Sequence, residues 1–173
     1  MIEGFEDLFE ANGTFARTFT QGDLPARAAR GLAVITCMDS RVDPFRTLGI
    51  GPGDAKILRN AGARVTEDVL RTLVLGAYLL GVERVLVMPH THCRMAESSE
   101  AELHALIQER YGVDTRSLEF RTERDQEAAL RQDLVRIRSF PLLPAGLVVG
   151  GAILDVKTGR LRAVDDVSGA EPS

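Results

Sequence analysis

Three short strand-like runs, each ending at a cluster of polar or small residues, constrain this chain more than any other feature. They are GLAVIT (31–36), leading into Cys37-Met38-Asp39-Ser40-Arg41; AKILR (55–59), ending at Asn60-Ala61-Gly62; and RVLVM (84–88), leading into Pro89-His90-Thr91-His92-Cys93. Runs of this length bounded by turn residues read as strands. Between the second and third, residues 67–80 place Val69, Leu70, Leu73, Val74, Ala77 and Leu80 at helical spacing and close on Gly81. Strands that alternate with helices predict an α/β fold: a central, mostly parallel β-sheet of four to five strands flanked by helices.

The other elements fill in around that frame. Residues 3–20 carry Phe5, Leu8, Phe9, Phe15 and Phe19; the first three fit one helix face, and Asn12-Gly13 reads as a C-cap. This 1–30 segment is expected to be a helical arm, whose four phenylalanines need cover from the domain or from a partner. Pro44 marks a turn or a short helix, and Gly51-Pro52-Gly53-Asp54 a turn. Helices are expected over 99–111, closed by Gly112, and over 124–138, with a short extended piece at 117–121. A fourth strand spans 147–154, and Lys157-Thr158-Gly159 turns into a last short strand at 160–164. The tail after Asp165 is expected to fray.

The 173 residues suit a single domain, 1–173, large enough to bury a core without staples. A net charge of −4 argues against a nucleic-acid partner, which needs a basic face to displace counterions. No stretch nears the roughly 18 apolar residues of a membrane span, and the acidic N-terminus lacks the features of a signal peptide. The expected compartment is therefore cytoplasmic, where a structural disulfide between Cys37 and Cys93 is disfavoured.

Both cysteines fall just past the carboxyl ends of expected strands, the edge at which open parallel sheets bind ligands. His90 and Cys93 are three residues apart, so one loop can offer two ligands to one ion. Cys37 would add a third from a neighbouring strand end. Zn2+ favours thiolate and imidazole, and three protein ligands with a fourth position for water, or for the Asp39 carboxylate, is the pattern of a catalytic site. Two free buried thiols are the plain alternative. A phosphatase-type C-x5-R loop is excluded, because the sixth residue after Cys37 is Asp43. There is no C-x-x-C, G-x-G-x-x-G or P-loop.

The series C-M-D-S-R-V, R-N-A-G and H-x-x-C, spread over residues 31–95, is similar to the motif series of the β-class carbonic anhydrases. The resemblance implies that Cys37, His90 and Cys93 are zinc ligands and that Asp39 and Arg41 are the family's Asp–Arg pair. It leaves two arrangements open: Asp39 paired with Arg41 while zinc keeps a water, or Asp39 bound to zinc in a closed site. It also implies a homodimer or a dimer of dimers, with the arm embracing the partner and the site near the interface. The implied reaction is reversible hydration of CO2 to bicarbonate by zinc-bound hydroxide. Two thiolates weaken zinc as a Lewis acid relative to three imidazoles, a set that brings bound water to a pKa of about 7. Asp39 would then orient the hydroxide, and Arg41 would keep Asp39 ionised. Arg94 stands where the family has glycine, Pro89 where it has glycine or a small residue, and His92 lies between the ligands. These departures keep two other readings in view: a COS or CS2 hydrolase on the same scaffold, and a zinc-binding relative without hydration activity. A redox pair of Cys37 and Cys93 without zinc is a further rival.

Overall fold

The computed structural model describes residues 2–164. The first element, α1 (Glu6–Ala16), runs unbroken through Asn12-Gly13, where the sequence suggested a C-cap. The chain then enters the sheet with β1 (Leu32–Cys37), a short α2 (Pro44–Leu48), β2 (Ala55–Asn60), a one-turn 3-10 segment (Ala61–Ala63) and α3 (Glu67–Leu79). Next come β3 (Arg84–Met88), the four-residue α4 (Arg94–Glu97), α5 (Glu100–Tyr111), α6 (Gln126–Arg138), β4 (Val148–Leu154) and β5 (Leu161–Ala163). The sheet has five strands in the order β2-β1-β3-β4-β5; the first four are parallel and β5 runs antiparallel to β4. This is the mostly parallel α/β sheet that the strand–helix alternation predicts.

Two departures have local causes. The extended piece expected at 117–121 forms no strand: a turn at 116–117 leads into irregular backbone, and Arg121 takes a left-handed φ of 60°. The helix expected from residue 124 begins at Gln126, because the Asp125 carboxylate accepts from the N–H groups of Glu127 and Ala128 and so fixes the start as an N-cap. The fraying expected after Asp165 lies outside the described residues.

Alternation along the strands divides the core. Ala33, Ile35, Val85, Val87, Val149 and Ile153 face α3 and α6, which contribute Val69, Leu70, Leu73, Leu130, Leu134 and Ile137. The opposite face holds a smaller cluster of Val34, Val42, Met88 and Leu154, flanked by the partly buried Leu32, Leu48, Ile57, Leu86 and Val156. Gly151 of β4 lets α6 approach closely: a Cβ there would stand 3.0 Å from the side chains of both Leu130 and Leu134. Helix α1 adds no residue to either cluster, although Ala28, later in the 1–30 segment, is buried in the larger one. No residue of α1 is buried, and Phe5, Leu8, Phe9, Phe15 and Phe19 are all about half exposed.

Leu134 is fully buried between α6 and the sheet. Leu134→Ala should therefore lower unfolding free energy by about 2–5 kcal/mol, measured by denaturant titration.

Candidate metal centre

Parallel pairing of β1 with β3 sets Thr36 beside Met88, and the Thr36 hydroxyl donates to the Met88 carbonyl at 2.8 Å. The two strand ends therefore stop at the same level. Cys37 is the last residue of β1, while the chain after β3 turns through Pro89-His90-Thr91-His92 to Cys93, the residue before α4. The end of β4 locks that turn: Leu154 N–H donates to Pro89 O and Thr91 N–H to Leu154 O, both at 2.9 Å. From α6, the Gln126 amide donates to His90 O at 2.7 Å. His92 adopts a left-handed φ of 54°, which turns the chain between His90 and Cys93.

As a result Cys37, His90 and Cys93 come together, all buried, with one ligand atom from each lying within 4.8 Å of the others. The two sulfurs are 3.9 Å apart. Two thiolates at about 2.3 Å on a tetrahedral ion would stand ~3.8 Å apart, so the spacing fits a single metal. His90 Nδ1 lies 2.8 Å from Thr91 O, a contact that fixes a proton on Nδ1 and turns the Nε2 lone pair inward. Nε2 is buried and, among the described residues, has no hydrogen-bond partner, a costly arrangement for a polar atom unless a ligand satisfies it. His92, by contrast, is exposed.

The electrostatics favour a bound cation. Cys37 is lowered to about 3, first by the hydrogen bond from Cys93 and also by His90 and the backbone N–H groups of Asp39 and Gly62; burial opposes this. Cys93 is pushed up, first by that same contact with the Cys37 sulfur and then by burial. The pair thus shares one proton, because two thiolates this close repel; a dication would allow both to ionise. Burial lowers the His90 pKa, but its contacts with the Cys37 sulfur and Thr91 O outweigh that and raise it on balance.

Asp39 and Arg41 flank the triangle on its solvent side. Arg41 grips the Asp39 carboxylate at both oxygens, with Nε to Oδ1 at 2.9 Å and Nη2 to Oδ2 at 2.7 Å, and its backbone N–H also donates to Oδ1 at 2.9 Å. Arg41 Nη2 reaches His92 O as well, at 3.0 Å. Asp39 Oδ2 stands 3.7 Å from His90 Nε2, so it faces the donor triangle without joining it. The hydrogen bonds from Arg41 hold the Asp39 carboxyl well below the usual carboxylate range. The pair is therefore fully charged at neutral pH and is lost only as pH falls through that depressed value.

Sequence reasoning overlooked two supports. Arg59, inside the R-N-A-G motif, donates to the carbonyls of Cys37, Asp39 and Val42 and so ties down the loop after β1. Gln126 lies 33 residues beyond Cys93, and no local pattern links it to the His90 turn.

The comparisons agree with this geometry. Residues 32–161 match the carbonic anhydrase family. Beta-carbonic anhydrase 1 of Mycobacterium tuberculosis is 35% identical over 160 residues, covering 92% of this chain and 96% of that one. The chain belongs to the β-class carbonic anhydrase family. Among solved structures, a carbonic anhydrase from Streptococcus mutans superposes with a TM-score of 0.88 at 37% identity, covering 95% of this chain and all of the other. A carbon disulfide hydrolase of Acidithiobacillus thiooxidans is 29% identical over 158 residues, covering 78% of this chain and 72% of that one.

If the triangle holds a metal, Cys37→Ser and Cys93→Ser should each reduce bound zinc from about one per chain to a small fraction, read by atomic absorption after dialysis. Full occupancy in both variants would refute the ligand set.

Proposed function

We propose that the protein catalyses the reversible hydration of CO2 to bicarbonate at a zinc ion held by Cys37, His90 and Cys93. The observation that carries this reading is the buried two-sulfur, one-nitrogen triangle with an ion-paired carboxylate on its open side. When bound, zinc supplies the Lewis acidity that eases loss of a proton from water at neutral pH.

The chain's own residues then have distinct tasks. Asp39 Oδ2 points toward the triangle and keeps acceptor capacity beyond its bond from Arg41. It accepts a hydrogen bond from the attacking water and so aims the oxygen lone pair at the CO2 carbon. Because its pKa is depressed, Asp39 stays an acceptor and does not carry the proton away. That proton passes to solvent as CO2 and water become bicarbonate. Arg41 keeps Asp39 ionised and oriented.

A second reading has a specific basis. The kinship to carbon disulfide hydrolases leaves the substrate to be decided by assay, because CO2, COS and CS2 are all linear carbon electrophiles. Unoxidised thiols at the centre suit a cytoplasmic location.

We also propose a homodimer in which α1 lies on a second copy. An 11-residue helix with no buried residue has little reason to be stable alone, and its exposed phenylalanines need cover. The partner's sheet offers half-buried Leu32, Ile57 and Leu86. Phe5→Glu/Phe9→Glu should shift sedimentation from dimer to monomer at micromolar concentration; an unchanged dimer would remove the arm from the interface.

The deciding experiment is stopped-flow CO2 hydration on protein of known zinc content, with COS and CS2 in parallel. Activity should rise from about pH 6.5 to about 9 as the site water ionises. Asp39→Ala should keep its zinc yet lower kcat/KM for CO2 by about 10- to 100-fold. Turnover of CS2 without CO2 hydration would establish the second reading instead.

A further inference from the structure

The 3-10 segment at Ala61–Ala63 is held from the far side by a buried ion pair that belongs to no motif. Its backbone is unusual: Gly62 has a φ of 78° and Ala63 of 58°, two consecutive left-handed residues. Ala63, which has a Cβ, pays for that conformation, so something must impose it. The Asn60 amide supplies one clamp, donating to Arg64 O at 2.7 Å and accepting from Arg64 N–H at 2.9 Å. Asp133 on α6 supplies the other, since its Oδ2 accepts from Arg64 Nε at 2.7 Å. Arg64 Nη1 also donates to the carbonyl of Arg121, itself left-handed. Asp133 is 4% exposed, so this carboxylate is committed to Arg64.

The clamped segment touches the metal centre on two sides. Asn60, the residue just before the segment, pairs in register with Cys37, and the Met38 N–H donates to Asn60 O at 2.9 Å. A Cβ on Gly62 would meet Met95 Cβ at 3.2 Å, so the segment is wedged against the turn that follows Cys93. The same helix that carries Asp133 carries Gln126, which holds the His90 carbonyl two turns earlier. Thus α6 reaches all three candidate ligands through its own side chains or through Arg64.

We infer that the Arg64–Asp133 pair is a positioning device for the metal centre, holding the 3-10 segment between the end of β1 at Cys37 and the turn that follows Cys93. The inference rests on the ligand set proposed above. A buried ion pair contributes little net stability compared with well-packed apolar residues of similar volume. Its retention here is explained by the geometry that it imposes on the segment between two ligands.

The test separates positioning from stability. Zinc transfer from the loaded protein to a chromophoric chelator is timed for the unaltered chain, for Asp133→Asn and for the double variant Arg64→Met/Asp133→Leu, and thermal unfolding of each is recorded. Asp133→Asn should release zinc on the order of tenfold faster or more. The double variant should recover the Tm of the unaltered chain yet still release zinc fast, because apolar packing replaces the pair but no longer holds Arg121 O or the 3-10 backbone. Zinc release at the unaltered rate from both variants would overturn the inference while leaving the ligand set intact. Recovery of slow release along with Tm in the double variant would also overturn it, reducing the pair to a stability role. If the unaltered chain retains no zinc, the ligand assignment falls and the inference with it.

Discussion

The lateral pairing of β1 with β3 is the constraint on which the rest depends. Neither strand carries a complete site. Cys37 ends one, and His90 and Cys93 follow the other, so only a parallel register that ends both strands at one level brings the three donors within reach of a single ion. Everything around them serves that level. The end of β4 hydrogen-bonds the His90 turn, Arg59 ties down the loop after Cys37, and α6 braces the His90 turn through Gln126. A slip of one residue between β1 and β3 would turn Cys37 to the other face of the sheet and dismantle the triangle.

The electrostatic design follows from this closeness. Two sulfurs at 3.9 Å cannot both be anionic without a cation, and a buried imidazole nitrogen without a partner is an expense. The folded chain therefore holds an arrangement that a metal relieves. A charged pair is kept apart from it: Asp39 and Arg41 sit at the solvent side, where their ionised state is fixed by direct contact and not by burial.

Much of this was legible in the sequence because the strands are short, strongly apolar and interrupted by polar clusters. Cys37, His90 and Cys93 stand out as metal-ligating types placed after strands, and Asp39 and Arg41 are two residues apart in one loop. The helix boundaries were less legible. Asn12-Gly13 carries a C-cap signal, yet α1 continues through it, because the pattern of a helix with no buried face says little about where it stops. Distant supports left no trace at all. Gln126, Arg64 and Asp133 act through contacts across 36 to 69 residues of chain, and periodicity shows only helix residues at two of those positions. The left-handed Ala63 and Arg121 are equally silent, since neither residue type announces a positive φ.

One guanidinium joins the two loops of the centre. Arg41 makes three hydrogen bonds to the Asp39 carboxylate and one to the carbonyl of His92, between the candidate ligands His90 and Cys93. For Asp39 to swing onto the donor triangle it would have to give up bonds to Arg41, and the guanidinium would lose the anchor that aims it at His92. The two loops are thereby geared together. The position of the Asp39 carboxylate is therefore tied to the backbone at His92, so a displacement in one loop is felt in the other.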